Sequence, residues 1–73
     1  MPALAPFSGE RAVRVFREAG WIQDRQHGSH VILVKPGSSA SLSVRLDPEV
    51  APAALRYLMR SAGMTLGDLA ELL

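Results

Sequence analysis

The chain has 73 residues, a formal net charge of +1 and no cysteine. At this length we expect one domain, 1–73, with an only marginally stabilising core, and the lack of cysteine excludes disulfides, thiolate metal sites and thiol catalysis. Hydrophobic residues make up 48% of the chain, which predicts a packed globule with residues 1–7 as a loosely ordered N-terminal segment. The sequence has no signal-peptide pattern and no membrane span, so we expect a cytoplasmic protein.

The first predicted element is a helix that begins near Gly9. Ser8 is a favoured N-cap residue and Gly20 a favoured C-terminal stop, and the apolar residues between them recur at helical spacing. The hydrophobic period then changes from about 3.6 residues to about 2, which predicts strands. Trp21, at the start of the first strand, is expected to pack in the core. Three strands are predicted, at Trp21–Gln26, Ser29–Lys35 and Ser41–Leu46.

Two helices are predicted to close the chain. Pro52 is well placed in the first turn of a helix that runs to about Ala62, and Thr65 with Asp68 resembles a capping box that opens a last helix. The order of helix, three strands, helix and short helix predicts an α+β two-layer sandwich, in which the helices cover one face of an antiparallel sheet. The other face is left to solvent, and we expect the functional site there.

His30 is a candidate functional residue at the start of the second strand, beside a glycine turn, although a lone histidine on a strand is more often structural and its position alone does not decide between the two roles. An imidazole titrates close to neutral pH, so it can remove a proton from a ribose 2′-hydroxyl or donate one to a leaving oxygen. Gly28 allows close approach of an RNA backbone, and Ser29 can hydrogen-bond a phosphate. These three residues form the predicted centre of the site.

Basic residues are concentrated between residues 11 and 45, a segment with six lysines and arginines but only two acidic residues. Arg25 and Lys35 flank the glycine turn and are candidate phosphate ligands. His27 is interpreted as an exposed turn residue rather than a second catalyst. Asp24, His27 and His30 do not have the spacing of established metal sites, so we expect no metal and no cofactor.

Several segments carry a family resemblance. The most specific is Arg25-Gln26-His27-Gly28-Ser29-His30, and residues 8–10, 19–21 and 62–65 support it. They resemble the HicA family of mRNA interferases, in which a first helix ends in Ala-Gly-aromatic and a strand leads to Arg-Gln-x-Gly-Ser-His. The resemblance covers Ser8 to the C-terminus. It implies a double-stranded-RNA-binding-domain-like fold and the toxin of a type II toxin–antitoxin system, a metal-independent endoribonuclease acting on single-stranded mRNA. It also implies a HicB-type antitoxin that masks the site, and His30 matches the catalytic histidine.

Two departures from the family pattern leave alternatives open. Residues 44–48 lack the Pro-x-His that usually follows the third strand, and Ala53-Ala54 replaces a common Gly-Thr, a possible phosphate contact at a helix start. A catalytically weak or inactive domain that binds RNA or an antitoxin is therefore the alternative function. A helix-turn-helix over residues 53–73 ranks last, because nothing polar or basic follows Glu71 to read a DNA major groove.

Overall fold

The computed structural model describes residues 7–72 and confirms the predicted order of elements. Each helix and strand ends within one or two residues of its predicted bounds. The predicted loose segment 1–7 lies outside the described residues except for Phe7, which is half-buried and packs on the core. The elements are α1 (Gly9–Glu18), β1 (Ile22–His27), β2 (His30–Val34), β3 (Ser41–Arg45), α2 (Pro52–Ser61) and α3 (Leu66–Leu72).

The predicted helix caps are confirmed. The Ser8 hydroxyl accepts a hydrogen bond of 3.1 Å from the backbone N–H of Arg11, which satisfies one of the free donors at the start of α1. Thr65 and Asp68 form a reciprocal capping box at the start of α3, because each backbone N–H donates to the other residue's side chain, at 2.9 and 3.1 Å. Local side-chain chemistry thus sets where these helices begin.

The sheet is antiparallel with the order β1-β2-β3; one face of β2 and β3 is buried, whereas β1 is exposed along its whole length. Alternate residues of β2 and β3 point into the core, and α1 and α2 both contact β3. The buried core comprises Ala12, Val15, Phe16, Trp21, Val31, Leu33, Leu42, Val44, Leu58, Met59 and Leu69. The predicted core position of Trp21 is therefore confirmed.

β1 lies at an edge of the sheet, and all six of its residues are exposed. Five of the six are polar, so β1 offers no apolar face to the helices and pairs with β2 alone at the sheet edge. β1 therefore lies outside the buried core, whereas β2 contributes Val31 and Leu33 to it. No helix within residues 7–72 is long and apolar enough to cross a membrane.

Candidate active site

The candidate site is built on the β1–β2 hairpin, which turns at Gly28 and Ser29. Gly28 has a φ of 57°, in the left-handed region that glycine adopts at no steric cost, and glycine at the first central position suits a type II′ hairpin turn. The Gln26 side-chain amide donates to the Gly28 carbonyl oxygen at 3.0 Å. The Leu46 N–H donates to the Ser29 carbonyl oxygen at 2.7 Å. These two hydrogen bonds hold the turn against both neighbouring segments.

The strand register brings three polar side chains into one row. His30 pairs with His27 on β1 and with Arg45 on β3. Directly opposed residues of antiparallel strands share a face, with Cβ atoms about 4.5–5.5 Å apart. Because Val31 is buried and successive residues alternate between faces, His30 and its two partners point to the face opposite the helices. We call His27, His30 and Arg45 the open-face row; all three are exposed.

Arg25 lies beside the open-face row. A bulge between Gln23 and Arg25 shifts the register, so that Arg25 pairs with Ile32 and falls on the same face as His27, two residues further along β1. The Arg25 guanidinium lies 3.7 Å from the Asp24 carboxylate, and its side chain is 63% exposed. An exposed pair at this distance contributes little to stability, so the guanidinium is available to a ligand.

Arg45 is held at the other end of the row. Its Nε lies 3.1 Å from Asp47 Oδ1, and the side chain is 67% exposed. Within residues 7–72 the terminal guanidinium nitrogens of Arg45 form no other ion pair. Asp47 therefore orients the side chain and leaves part of its hydrogen-bonding fork open, a geometry that suits phosphate oxygens.

Lys35 lies away from the open-face row. It is five residues from His30 along β2 and its continuation, which is about 16 Å for extended chain. Its Nζ donates to the Ala19 carbonyl oxygen at 3.2 Å and lies 6.0 Å from the centre of the Trp21 ring. Lys35 thus caps the C-terminal end of α1, where a cation is favoured, and the structure does not bring it to the predicted site.

A groove begins at Arg45 and runs between β3 and α2. It has a volume of about 430 Å³ and is lined by residues that include Ser43, Arg45, Val50 and Tyr57. The Tyr57 side chain is largely solvent-accessible, with the residue 68% exposed. The groove therefore places an exposed aromatic ring on a path that leads directly to the open-face row.

The structure brings Arg25, Gly28, Ser29 and His30 together at one end of the sheet, as the sequence predicts, and adds Arg45. The alternation of polar and apolar residues in β3 puts Arg45 on its outward face, but nothing in the sequence indicates the register that sets Arg45 opposite His30. Residues 7–72 contain no group of three or more His, Asp or Glu side chains that could hold a metal ion.

The open-face row lies within a segment that matches a known family. The model of the HicA toxin of bacterial toxin–antitoxin systems matches residues 9–64, which run from the start of α1 past the end of α2 and include both histidines. No curated protein matches the chain. Toxins of this kind act with an antitoxin partner. The match extends over more than half of the 73 residues. The chain belongs to the HicA toxin family of bacterial toxin–antitoxin systems.

Proposed function

We propose that this chain is a metal-independent endoribonuclease that cleaves single-stranded mRNA, with His30 as the general base. The observation that carries the proposal is the placement of His30 on the solvated face of the sheet, in register with Arg45. Within residues 7–72 the His30 imidazole makes no ion pair and no side-chain hydrogen bond. The ring is therefore not engaged by another described side chain, and Arg45, the cation that the reaction needs, lies one strand away.

In the proposed reaction His30 removes the proton from a ribose 2′-hydroxyl, the 2′-oxygen attacks the adjacent phosphorus, and the bond from phosphorus to the 5′-oxygen breaks. Negative charge then builds up on the phosphate, where Arg45 and Arg25 from the flanking strands stabilise it. A Cβ built on Gly28 meets no heavy atom within 4 Å, so the space above the turn is open to an RNA backbone. The Ser29 hydroxyl, on the same turn, supplies a hydrogen bond to a phosphate oxygen.

The test compares the wild-type chain with His30→Ala on purified mRNA and in cells under a tightly regulated promoter. General-base catalysis contributes about 10²–10⁴-fold, so we expect a loss of that size in the cleavage rate together with loss of toxicity. Ser41→Ala is the matched control, because Ser41 is exposed on the same face at the far end of β3. Equal RNA decay and equal toxicity for wild type and His30→Ala would refute the proposed role.

A non-catalytic role in binding RNA or an antitoxin is the second candidate. It is favoured by the end of β3, where Arg45-Leu46-Asp47-Pro48 stands in place of the histidine that the family pattern carries. In that case the purified chain binds RNA with a steep dependence on salt but leaves it intact over hours. Gel analysis of bound RNA separates the two functions.

The antitoxin partner is proposed to be of the HicB type and to cover the open-face row. Below the row the same face carries partly exposed apolar side chains: Ile32 and Val34 are half-buried, and Ile22 is 53% exposed. An apolar area beside exposed charges is typical of a protein interface. Because the proposed substrate is mRNA, the chain is proposed to act in the cytoplasm. Co-expression of a HicB-type protein from the neighbouring reading frame is expected to abolish toxicity.

A further inference from the structure

His27 and His30 form the last pair of the β1–β2 hairpin, with only the Gly28-Ser29 turn between them. Both residues are exposed, and they point to the same face because opposed residues do. The two-residue turn fixes their separation, since a change of register would need a different turn. The chain therefore holds two histidines in directly opposed positions at the tip of the hairpin.

The His27 side chain has no structural task in the described part of the chain. Between residues 7 and 72 it forms no ion pair and no side-chain hydrogen bond, and it does not belong to the core or to the residues packed against it. The adjacent turn depends on the conformation of Gly28 and on the Gln26 side chain. An imidazole at position 27 is therefore not needed for the fold.

Cleavage of RNA through the 2′-oxygen needs a second proton transfer. When the 2′-oxygen forms its bond to phosphorus, the bond from phosphorus to the 5′-oxygen breaks, and that oxygen leaves as a poor leaving group unless it receives a proton. The donor must stand on the side of the phosphate opposite the base. A ring whose Cβ lies about 4.5–5.5 Å from the Cβ of the base can lean to that side, with each ring within hydrogen-bond reach of its oxygen.

We propose that His27 is the general acid of the cleavage reaction and acts together with His30; this proposal rests on the proposed endoribonuclease function. His30 accepts the proton of the 2′-hydroxyl, the 2′-oxygen attacks phosphorus, and the His27 imidazolium donates its proton to the departing 5′-oxygen. The products are a 2′,3′-cyclic phosphate and a 5′-hydroxyl. His30 is left protonated and His27 neutral, and exchange with water restores both.

Arg25 and Arg45 flank this pair and limit what else can respond to pH. Arg25 lies on the same face as His27, and Arg45 lies opposite His30, with Asp24 and Asp47 as their ion-pair partners. Guanidinium groups do not lose their proton in proteins. A fall in rate on the alkaline side therefore reports the loss of the proton that the acid must donate.

The decisive experiment uses an RNA oligonucleotide in which sulfur replaces the bridging 5′-oxygen at the one linkage that the wild-type chain cleaves. A thiolate leaves without protonation, so this linkage does not need a general acid. On natural RNA we expect the His27→Ala substitution to lower the cleavage rate by about 10²–10⁴-fold. On the sulfur-bridged RNA the same variant is expected to cleave at close to the wild-type rate. His30→Ala is expected to be slow on both.

A pH profile gives an independent readout that a merely structural role does not change. The wild-type kcat/KM on natural RNA is expected to be bell-shaped, and His27→Ala is expected to lose the alkaline limb. The wild-type chain is expected to lose the same limb on sulfur-bridged RNA. Gln23→Ala is the matched control, because Gln23 is exposed on β1 but pairs with Leu33 and so lies on the other face. Circular dichroism checks that every variant is folded.

Two results overturn the role of His27. If His27→Ala cleaves natural RNA at the wild-type rate, His27 is dispensable. If its cleavage rate falls equally on both RNAs, His27 binds or positions RNA instead. Failure of the wild-type chain to cleave either RNA overturns the proposed endoribonuclease function, and full activity of His30→Ala overturns the role of His30 as the base. Either result removes the step in which His27 would act.

Discussion

Replacement of Gly9 by alanine tests how α1 is seated on the sheet. Gly9 is the buried first residue of α1, and its N–H donates a hydrogen bond of 2.9 Å to the Asp47 carbonyl oxygen. A Cβ added to Gly9 lies 2.7 Å from Leu46 Cα and closer still to the carbonyl oxygen of Arg45. Both atoms belong to the backbone, so no side-chain rotation can relieve the overlap.

The size of the effect follows from that overlap. Non-bonded carbon atoms prefer a separation of about 3.5–4.0 Å, so α1 or the end of β3 must move by about 1 Å. Overpacking of this kind costs about 1–3 kcal/mol, whereas alanine gains at most about 1 kcal/mol over glycine in a helix. For a domain of this size about 1 kcal/mol corresponds to about 4–8 °C in Tm. We expect Gly9→Ala to lower the Tm by about 10 °C.

Thermal unfolding followed by circular dichroism measures this shift, with Gly67→Ala as the matched control. Gly67 also lies in the first turn of a helix, α3, but its added Cβ meets Thr65 Oγ1 at 3.6 Å, an ordinary van der Waals contact. Gly67→Ala is therefore expected to keep or raise the Tm. A wild-type Tm for Gly9→Ala would refute the packing argument, and an equal fall in both variants would assign the effect to helix geometry.

Four further outcomes are expected. Arg45→Ala lowers the cleavage rate by roughly 10- to 100-fold, since a hydrogen bond to a charged group contributes about 1.5–3 kcal/mol, and Arg45→Lys restores part of the rate. An unchanged cleavage rate for Arg45→Ala would exclude Arg45 from the site. Lys35→Ala leaves cleavage unchanged but lowers the free energy of unfolding by about 1 kcal/mol, measured by urea titration, because it loses the hydrogen bond to Ala19. Tyr57→Ala weakens binding of uncleavable RNA by about 1–3 kcal/mol if a base stacks in the groove, whereas Tyr57→Phe binds as wild type. EDTA leaves the cleavage rate unchanged, and inhibition reversed by a divalent cation would contradict metal-independent cleavage.

Short-range chemistry made the elements of the fold predictable from the sequence. Ser8 and the Thr65–Asp68 pair satisfy donors within three residues of themselves, so their pattern carries the full information for a helix start. The strict alternation of β3 likewise fixes which of its faces is buried. These features depend on neighbours in sequence, and the structure agrees with them.

Features that depend on distant residues were not predictable in the same way. The pairing of His30 with Arg45 is set by how the segment between β2 and β3 closes, and nothing in either strand specifies it. The capping of α1 by Lys35 needs the end of a helix sixteen residues earlier to pack beside β2. Two candidate phosphate ligands therefore looked equivalent around the glycine turn, although only Arg25 lies near His30.

The position of the site at the edge of the core makes its chemistry separable from its stability. The side chains of His27 and His30 contribute nothing to the buried core, so their removal is expected to cost activity at little cost in stability. Arg45 differs, because its backbone supports α1 through the contact at Gly9 while its side chain faces the substrate. A shift of α1 therefore moves one end of the open-face row. Gly9→Ala, assayed well below its Tm, is therefore expected to lose activity as well as stability, whereas His27→Ala and His30→Ala are expected to lose activity alone.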